Sequence, residues 1–174
     1  MPMRKLIILS FVMLAFLQCK NNQSKEKQHQ YISENSVTSF PESLGYVSDY
    51  ENTLTSAEIQ NLNTILSEYD KTTTNKIAIV SINKNLNENN FDQYALDLSN
   101  HWGIGDPGKN NGLTIVYSSK LRKIKISTGK GVENILTDEI CEQVMNEKIL
   151  PKFKKGDYFL GIKNGIAEFI KIWK

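Results

Sequence analysis

Two short, almost entirely apolar runs constrain the fold of this chain more than any other feature. Ile77 to Val80 is entirely apolar, and Leu113 to Tyr117 is apolar apart from one threonine. Such runs are typical of strands that are covered on both faces of a sheet. A helix-length segment separates them, so a right-handed crossover should join them and the two strands should be parallel.

Capping signals predict where helices begin around these strands. Thr55 and Glu58 have the spacing of a capping box, and Asn90 with Gln93 repeats that spacing. Thr137 is a third N-cap candidate, and its helix should end at Pro151. A last helix is predicted from about residue 157 to residue 173, where large apolar side chains recur at helical spacing.

The remaining strands are predicted at residues 45–50 and 123–128. The second of these alternates Lys123 and Lys125 with Ile124 and Ile126, which suits an edge strand paired with its neighbour in a hairpin. The element order is then β-α-β-α-β-β-α-α. It predicts an α/β fold, a three-layer α/β/α sandwich with a mixed, mainly parallel sheet and a β-hairpin at one side.

The first residues resemble an export signal. Arg4 and Lys5 precede an apolar stretch over residues 6–17, which is too short to span a bilayer that needs about 20 residues. Gln18 and Cys19 follow directly, and Cys19 resembles the lipidated cysteine of bacterial lipoproteins. An uncleaved N-terminal anchor is the alternative. Residues 1–18 are therefore predicted to be a signal peptide, 19–43 a flexible tether and 44–174 the folded domain.

Composition excludes several functional classes. The formal charge is +2 and the lysines are scattered, so nucleic acid is not an expected partner. The two histidines, His29 and His101, offer no plausible triad or zinc site. Cys141 is the only other cysteine, so no intramolecular disulfide is expected once Cys19 is modified; core packing is favoured over a nucleophilic role for Cys141.

Two glycine-rich loops should meet at one edge of the sheet. In the predicted topology, residues 105–112 enter one hairpin strand and residues 129–133 leave the other. Glycines at 129 and 131 would allow close approach of a ligand. Oxygen-bearing side chains in and near the loops, of the kind that Ca²⁺ prefers, are Asp106, Asn110, Asn111, Glu133 and Asp138. The alternative is that these are ordinary turn residues and, for Asp138, a helix-start residue.

A series of motifs in this order resembles the TPM domain family. The matching pieces are Val47-Ser48-Asp49, Trp102-Gly103-Ile104-Gly105, Asn110-Asn111-Gly112-Leu113, Arg122-Lys123, Gly129-Lys130-Gly131-Val132-Glu133, Leu136-Thr137-Asp138, Pro151 and Gly156-Asp157-Tyr158. Members include thylakoid-lumen proteins, a photosystem-repair protein, receptor-auxiliary proteins and many exported bacterial proteins. The resemblance implies an α/β/α sandwich, divalent-cation binding in some members and phosphatase activity reported for some.

The resemblance also assigns a metal set. Its acidic positions fall on Asp49, Glu133 and Asp138, together with Asn110, where the family commonly has aspartate. An amide in place of a carboxylate should weaken a hard-cation site. The ligand-binding loops are expected to include Asp106, Asn111, Gly112, Gly129 and Gly131. A parallel first strand would place Asp49 at the opposite edge of the sheet from Asn110, so either that strand runs the other way or Asp49 serves another purpose.

Two functions fit these expectations. The first is a periplasm-facing lipoprotein in the bacterial cell envelope, anchored through Cys19, whose domain binds a protein partner in the upkeep of membrane protein complexes, with Ca²⁺ or another divalent cation as its cofactor. The second is a metal-dependent phosphatase in which Glu133 or Asp138 positions water. No aspartate follows Cys19 in Lys20-Asn21-Asn22, which favours the outer membrane.

Overall fold

The computed structural model describes residues 39–174, and residues 40–174 form one compact unit. The expectations for the signal peptide, Cys19 and most of the tether lie outside the described residues. The folded unit begins at Phe40 instead of Leu44 because the end of the expected tether packs on the domain. Phe40 lies 5.2 Å from the ring of Tyr94, and the Trp102 indole N–H donates to the Pro41 carbonyl at 2.9 Å.

Four strands form one sheet in the order β1-β2-β3-β4. Their bounds are Val47–Asp49 for β1, Lys76–Ser81 for β2, Gly112–Ser118 for β3 and Lys123–Thr128 for β4. The first three strands are mutually parallel, and β4 is antiparallel to β3. The predicted mixed, mainly parallel sheet with a hairpin at one side is confirmed.

Five α-helices and one π-helix complete the secondary structure of the described residues. They are α1 (Ser56–Thr73), α2 (Phe91–Trp102), α3 (Asp138–Val144), the π-helix (Met145–Ile149), α4 (Leu150–Phe153) and α5 (Tyr158–Ile172). No helix in residues 39–174 combines the length and apolar character needed to cross a membrane.

The sheet separates two hydrophobic cores. Ile77, Ile79 and Ile115 pack in the larger core with α1 and α5, whereas Val80 and Val116 pack with α2 on the other face. Successive strand residues point to opposite faces, so an apolar run without alternation is what two covered faces require. The three-layer α/β/α arrangement follows.

Capping predictions were confirmed at two helices and wrong at one. Thr55 and Glu58 form the reciprocal capping box of α1, and Thr137 accepts from the Ile140 N–H at the start of α3. Asn90 forms no side-chain cap on α2. Its amide oxygen instead accepts from the Asn87 N–H at 2.8 Å within the preceding turn, which removes it from the helix end.

Pro151 does not end the third helix as expected. The chain passes through the π-helix, where the Leu150 N–H donates to the Met145 carbonyl, and Pro151 then lies in the first turn of α4. A proline in a regular helix loses one hydrogen bond and clashes with the carbonyl four residues earlier. The wider π register relieves that conflict and carries the helix on to Phe153.

Candidate functional site at the loop rim

The two glycine-rich loops do converge, and residues 105–112 and 129–133 are named the loop rim here. The Gly129 N–H donates to the Gly112 carbonyl at 2.8 Å, and the Gly131 N–H donates to the Asn110 carbonyl at 3.2 Å. These backbone bonds fix the two loops against each other at the edge where β3 begins and β4 ends.

The glycines of the loop rim serve loop packing. A Cβ at Gly112 would lie 1.8 Å from the Ile104 carbonyl oxygen, and one at Gly129 would lie 2.2 Å from the Asn110 carbonyl oxygen. A Cβ at Gly131 would lie 1.9 Å from the Lys109 carbonyl oxygen. Contacts this short are impossible for any side chain. These glycines were expected to let a ligand approach closely, but the atoms that approach them are backbone carbonyl oxygens of the protein itself.

Two of the expected ligand side chains are already occupied by protein partners. Asp106 pairs with Lys76 at 3.1 Å and Lys109 at 3.6 Å, and the Lys76 hydrogen bond is the main reason that the pKa of its carboxyl is lowered. The Asn111 amide is buried, accepts from the Asp106 N–H and donates to the Thr74 carbonyl, both at 2.8 Å. These residues hold the loop in shape.

Asn110, Glu133 and Asp138 are exposed, and their side chains have no hydrogen bond or ion pair with another residue of the described part. Asn110 and Glu133 line a cleft of about 600 Å³ between α2 and the loop rim. Glu133 and Asp138 line a second cleft of about 390 Å³ at the start of α3. Glu133 and Thr128 line both clefts. The side chains of Asn110, Glu133 and Asp138 therefore lie along one continuous surface.

Asp49 lies at the opposite edge of the sheet, where the parallel strands end, and this is named the carboxyl edge. Because β1 is parallel to β2, Asp49 pairs in register with Ser81, whereas Lys76 at the other end of β2 pairs with Gly112. The four residues that the family resemblance assigns therefore do not form a single site. Across residues 39–174, no three His, Cys, Asp or Glu side chains are grouped as metal ligands.

The Asp49 carboxylate has a structural set of partners that the sequence did not reveal. It accepts from the Leu54 N–H at 2.7 Å, the Ser81 hydroxyl at 2.5 Å and the Thr53 hydroxyl at 3.1 Å. The Thr53 hydroxyl is also 2.6 Å from the Tyr117 hydroxyl, whose pKa is raised mainly by burial. Asp49 thus fixes the loop between β1 and α1.

A polar group inside the wall of the larger cleft was not among the predicted site residues. Ser127 lines this cleft, and its buried hydroxyl has no hydrogen-bond partner among the described residues. It lies on β4 in register with Thr114, another lining residue. Buried polar groups are nearly always bonded, so an orphaned hydroxyl beside a cleft points to a missing partner. The alternation after Lys123 and Lys125 is the one sequence signal that places Ser127 on this face.

Cys141 behaves as a core residue. Its thiol is buried and donates to the Leu136 carbonyl at 3.7 Å. Burial is the main cause that raises its pKa to about 11, and the nearby Asp138 carboxylate adds to the effect. Since the thiolate is the nucleophile, a raised pKa suppresses its reactivity.

Comparisons with known proteins place this geometry in a family. Residues 47–172 match the family model for the TPM domain. No curated protein gave a significant match. The N-terminal domain of a protein from P. gingivalis has a similar fold, with a TM-score of 0.64 and 24% identity over 73% of this chain and 80% of that chain.

Two further solution structures share the fold. A protein of the psychrophilic bacterium Bizionia argentinensis matches with a TM-score of 0.59 and 19% identity, over 71% of this chain and 83% of that chain. The N-terminal domain of a Corynebacterium glutamicum protein matches with a TM-score of 0.51 and 16% identity, over 79% of this chain and 87% of that chain. The family match covers both cores, the loop rim and the carboxyl edge, and the chain belongs to the TPM domain family.

Proposed function

We propose that this protein is a binding module held on the outer side of a bacterial membrane by lipidated Cys19, facing the periplasm. Its loop rim engages a protein partner in the upkeep of membrane protein complexes, and a divalent cation bound weakly at Glu133 modulates that contact. The observation that carries the proposal is the continuous cleft surface on which Asn110, Glu133 and Asp138 have no described partner.

The cleft wall supports a binding role. It combines the orphaned Ser127 hydroxyl with the exposed Leu96 side chain, which is 39% accessible. Ligand sites characteristically pair apolar surface with a few polar groups that fix orientation. A volume of about 600 Å³ admits one or two side chains of a partner.

The cation site should be weak. Two exposed carboxylates and one amide supply fewer charges than tight Ca²⁺ sites contain, so the dissociation constant should fall near the millimolar values of extracellular modules. Water and backbone carbonyls would complete the six to eight oxygen ligands that Ca²⁺ takes. Magnesium should bind less well, because it demands near-ideal octahedral geometry.

A thermal titration of the full-length protein tests the cation part. CaCl₂ at about ten times the dissociation constant should raise Tm by roughly 3–6 °C. The Glu133→Gln variant should lose this rise. Glu142→Gln, which removes an exposed carboxylate on α3 outside both clefts, should keep it. An equal rise in all three proteins would reject Glu133 as a ligand.

Crosslinking in the native cell tests the partner. A photoreactive residue in place of Glu133 should capture a discrete envelope protein, and the same residue at Glu142 should not. Incorporation of labelled palmitate that disappears in Cys19→Ser would support the anchor. Equal capture from both positions, or no label on the wild-type chain, would contradict the respective part of the proposal.

The alternative is a metal-dependent phosphatase. It is favoured by the smaller cleft, where Glu133 and Asp138 line about 390 Å³ beside the start of α3. Hydrolysis of p-nitrophenyl phosphate that survives purification and disappears in Asp138→Ala would support this function. A rate that is unchanged in that variant would identify a contaminating enzyme.

A further inference from the structure

A separate cavity lies at the carboxyl edge, away from the two clefts of the loop rim. It has a volume of about 370 Å³ and lies between the start of β4 and helix α4. Its lining residues are Ser118, Arg122, Lys123, Ile124, Leu150, Phe153, Lys154, Gly156 and Tyr158. None of the nine is acidic, whereas three are cationic.

The floor of this cavity is a fixed aromatic cluster. Phe153 and Tyr158 meet at 4.9 Å between ring centroids, and both rings pack on the buried Tyr117 at 5.3 and 5.7 Å. Gly161 makes this possible, because a Cβ there would lie 2.7 Å from the Phe153 ring. The π-helix directly before α4 sets the position of Phe153, and such insertions are frequent at functional sites.

The cations of the cavity differ in availability. Lys123 is engaged by Asp92 at 3.7 Å. Arg122 and Lys154 are exposed and form no ion pair with a residue of the described part. Arg122 occupies the hairpin turn with φ +53°.

Two carboxylates next to lining residues in the sequence or through a hydrogen bond, those of Glu51 and Asp157, are committed to local structure. Glu51 accepts from the Ser118 hydroxyl at 3.0 Å and the Ser119 N–H at 2.6 Å. Asp157 accepts from the Leu160 N–H at 3.0 Å as the N-cap of α5. Neither therefore neutralises Arg122 or Lys154 through an ion pair.

The cavity also lies beside β4, the last strand on one side of the sheet. β4 is an outer strand, and no described strand pairs with its free side. An extended peptide can add to such an edge through backbone hydrogen bonds, while a pocket selects its side chain. The cations lie at the start of β4, where the C-terminus of an added antiparallel strand would fall.

We infer that this cavity binds the free C-terminal residue of a partner polypeptide. The last side chain, apolar or aromatic, packs on Phe153 and Tyr158, and its carboxylate is held by Arg122 and Lys154. The arginine fork matches the two oxygens of a carboxylate. The preceding residues extend along β4. This surface is separate from the loop rim, and the inference stands independently of the proposed cation site.

Fluorescence anisotropy with dye-labelled peptide pools tests the inference on the full-length protein. The pools are hexapeptides of serine and threonine that end in Leu, Val or Phe, each made with a free carboxylate and with a C-terminal amide. At least one free-acid pool should bind below about 1 mM, and its amide should bind roughly tenfold more weakly. Absence of binding at that concentration, or equal affinity for acid and amide, would overturn the inference.

Variants locate the site. Arg122→Gln and Lys154→Gln should each weaken the free-acid pool roughly tenfold, because each removes a charged hydrogen-bond donor. Lys155→Gln, which removes an exposed lysine outside the cavity lining, should leave affinity unchanged, as should Glu133→Gln at the loop rim. Melting temperatures of all four variants should match the wild type, so a lost affinity reports binding.

Small anions distinguish other occupants. Phenylacetate and inorganic phosphate should compete with the peptide only at concentrations well above its dissociation constant. Phenylacetate that binds as tightly as the best pool would show that the cavity accepts a free carboxylic acid, and the peptide part of the inference would fail. Peptide binding that persists in the Arg122→Gln/Lys154→Gln double variant would place the peptide elsewhere and overturn it as well.

Discussion

The two edges of the sheet bear similar residues but use them differently. At the carboxyl edge, Asp49 is half-buried and all its hydrogen bonds go to the protein, through Leu54, Ser81 and Thr53. At the loop rim, the backbone supplies the rigidity, and Glu133 and Asp138 have no described partner. A carboxylate in a family motif can therefore be committed to the fold or left without a protein partner, and only its surroundings distinguish the two.

The backbone contacts of the loop rim predict the largest effect. Gly112→Ala would force a Cβ against the Ile104 carbonyl, and we expect a loss of about 3 kcal/mol or more in the free energy of unfolding, or no folded protein. Gly108→Ala is the matched control, because no atom lies within 4 Å of the Cβ it would add. Urea unfolding of both variants measures the difference. Equal stabilities would mean that Gly112 is not packed against the Ile104 carbonyl.

The Asp49 network predicts a smaller loss that separates the two edges. Asp49→Ala leaves the Leu54 N–H and the Ser81 hydroxyl without their acceptor, which should cost about 2–3 kcal/mol. Asp138→Ala removes only a favourable charge in the first turn of α3 and should cost about 0.5 kcal/mol. Denaturant midpoints compare the two directly. A costlier change at Asp138 would reverse the assignment of structural and available carboxylates.

The Tyr117 hydroxyl predicts a pH dependence of the carboxyl edge. Its pKa is raised in the folded state from the ordinary value of 10.0, so the folded protein holds this proton more tightly than the unfolded chain does. Stability from this group is fully present below pH 10 and falls as the pH rises above it. Tyr117→Phe should cost about 1 kcal/mol at neutral pH and should make the alkaline loss shallower.

Tyr94 sets the background for that measurement. Burial raises its pKa to about 12 and that of Cys141 to about 11, so both groups contribute further losses of alkaline stability in both proteins. The decisive quantity is the difference between the two slopes above pH 10. Identical slopes for wild type and Tyr117→Phe would contradict a protonated Tyr117 at the carboxyl edge.

Much of the fold could be predicted because local patterns and burial agree. The unbroken apolar run of β2 requires two covered faces, and the two cores supply them. The Asn90 cap and the helix end at Pro151 could not be predicted by local rules. The Asn87 turn competes for the Asn90 side chain, and a π register accommodates the proline.

The candidate site could be predicted only in part. The predicted hairpin topology was enough to predict that the two loops of the loop rim meet. It could not reveal that the Asn111 amide bonds to the Thr74 carbonyl, or that Lys76 reaches Asp106, because those partners lie more than 29 residues away in the chain. Glycines were expected to approach a ligand, and their actual neighbours are carbonyls that no sequence pattern identifies.

The difference between the two edges is tested most directly by calcium titration of two variants side by side. Tm is measured for Asp49→Asn and Glu133→Gln, with and without millimolar CaCl₂. The account predicts that Asp49→Asn starts from a lower Tm yet keeps the calcium-induced rise, whereas Glu133→Gln starts at the wild-type Tm and shows none. A folded Asp49→Asn protein without the rise, together with a Glu133→Gln protein that retains it, would contradict the account.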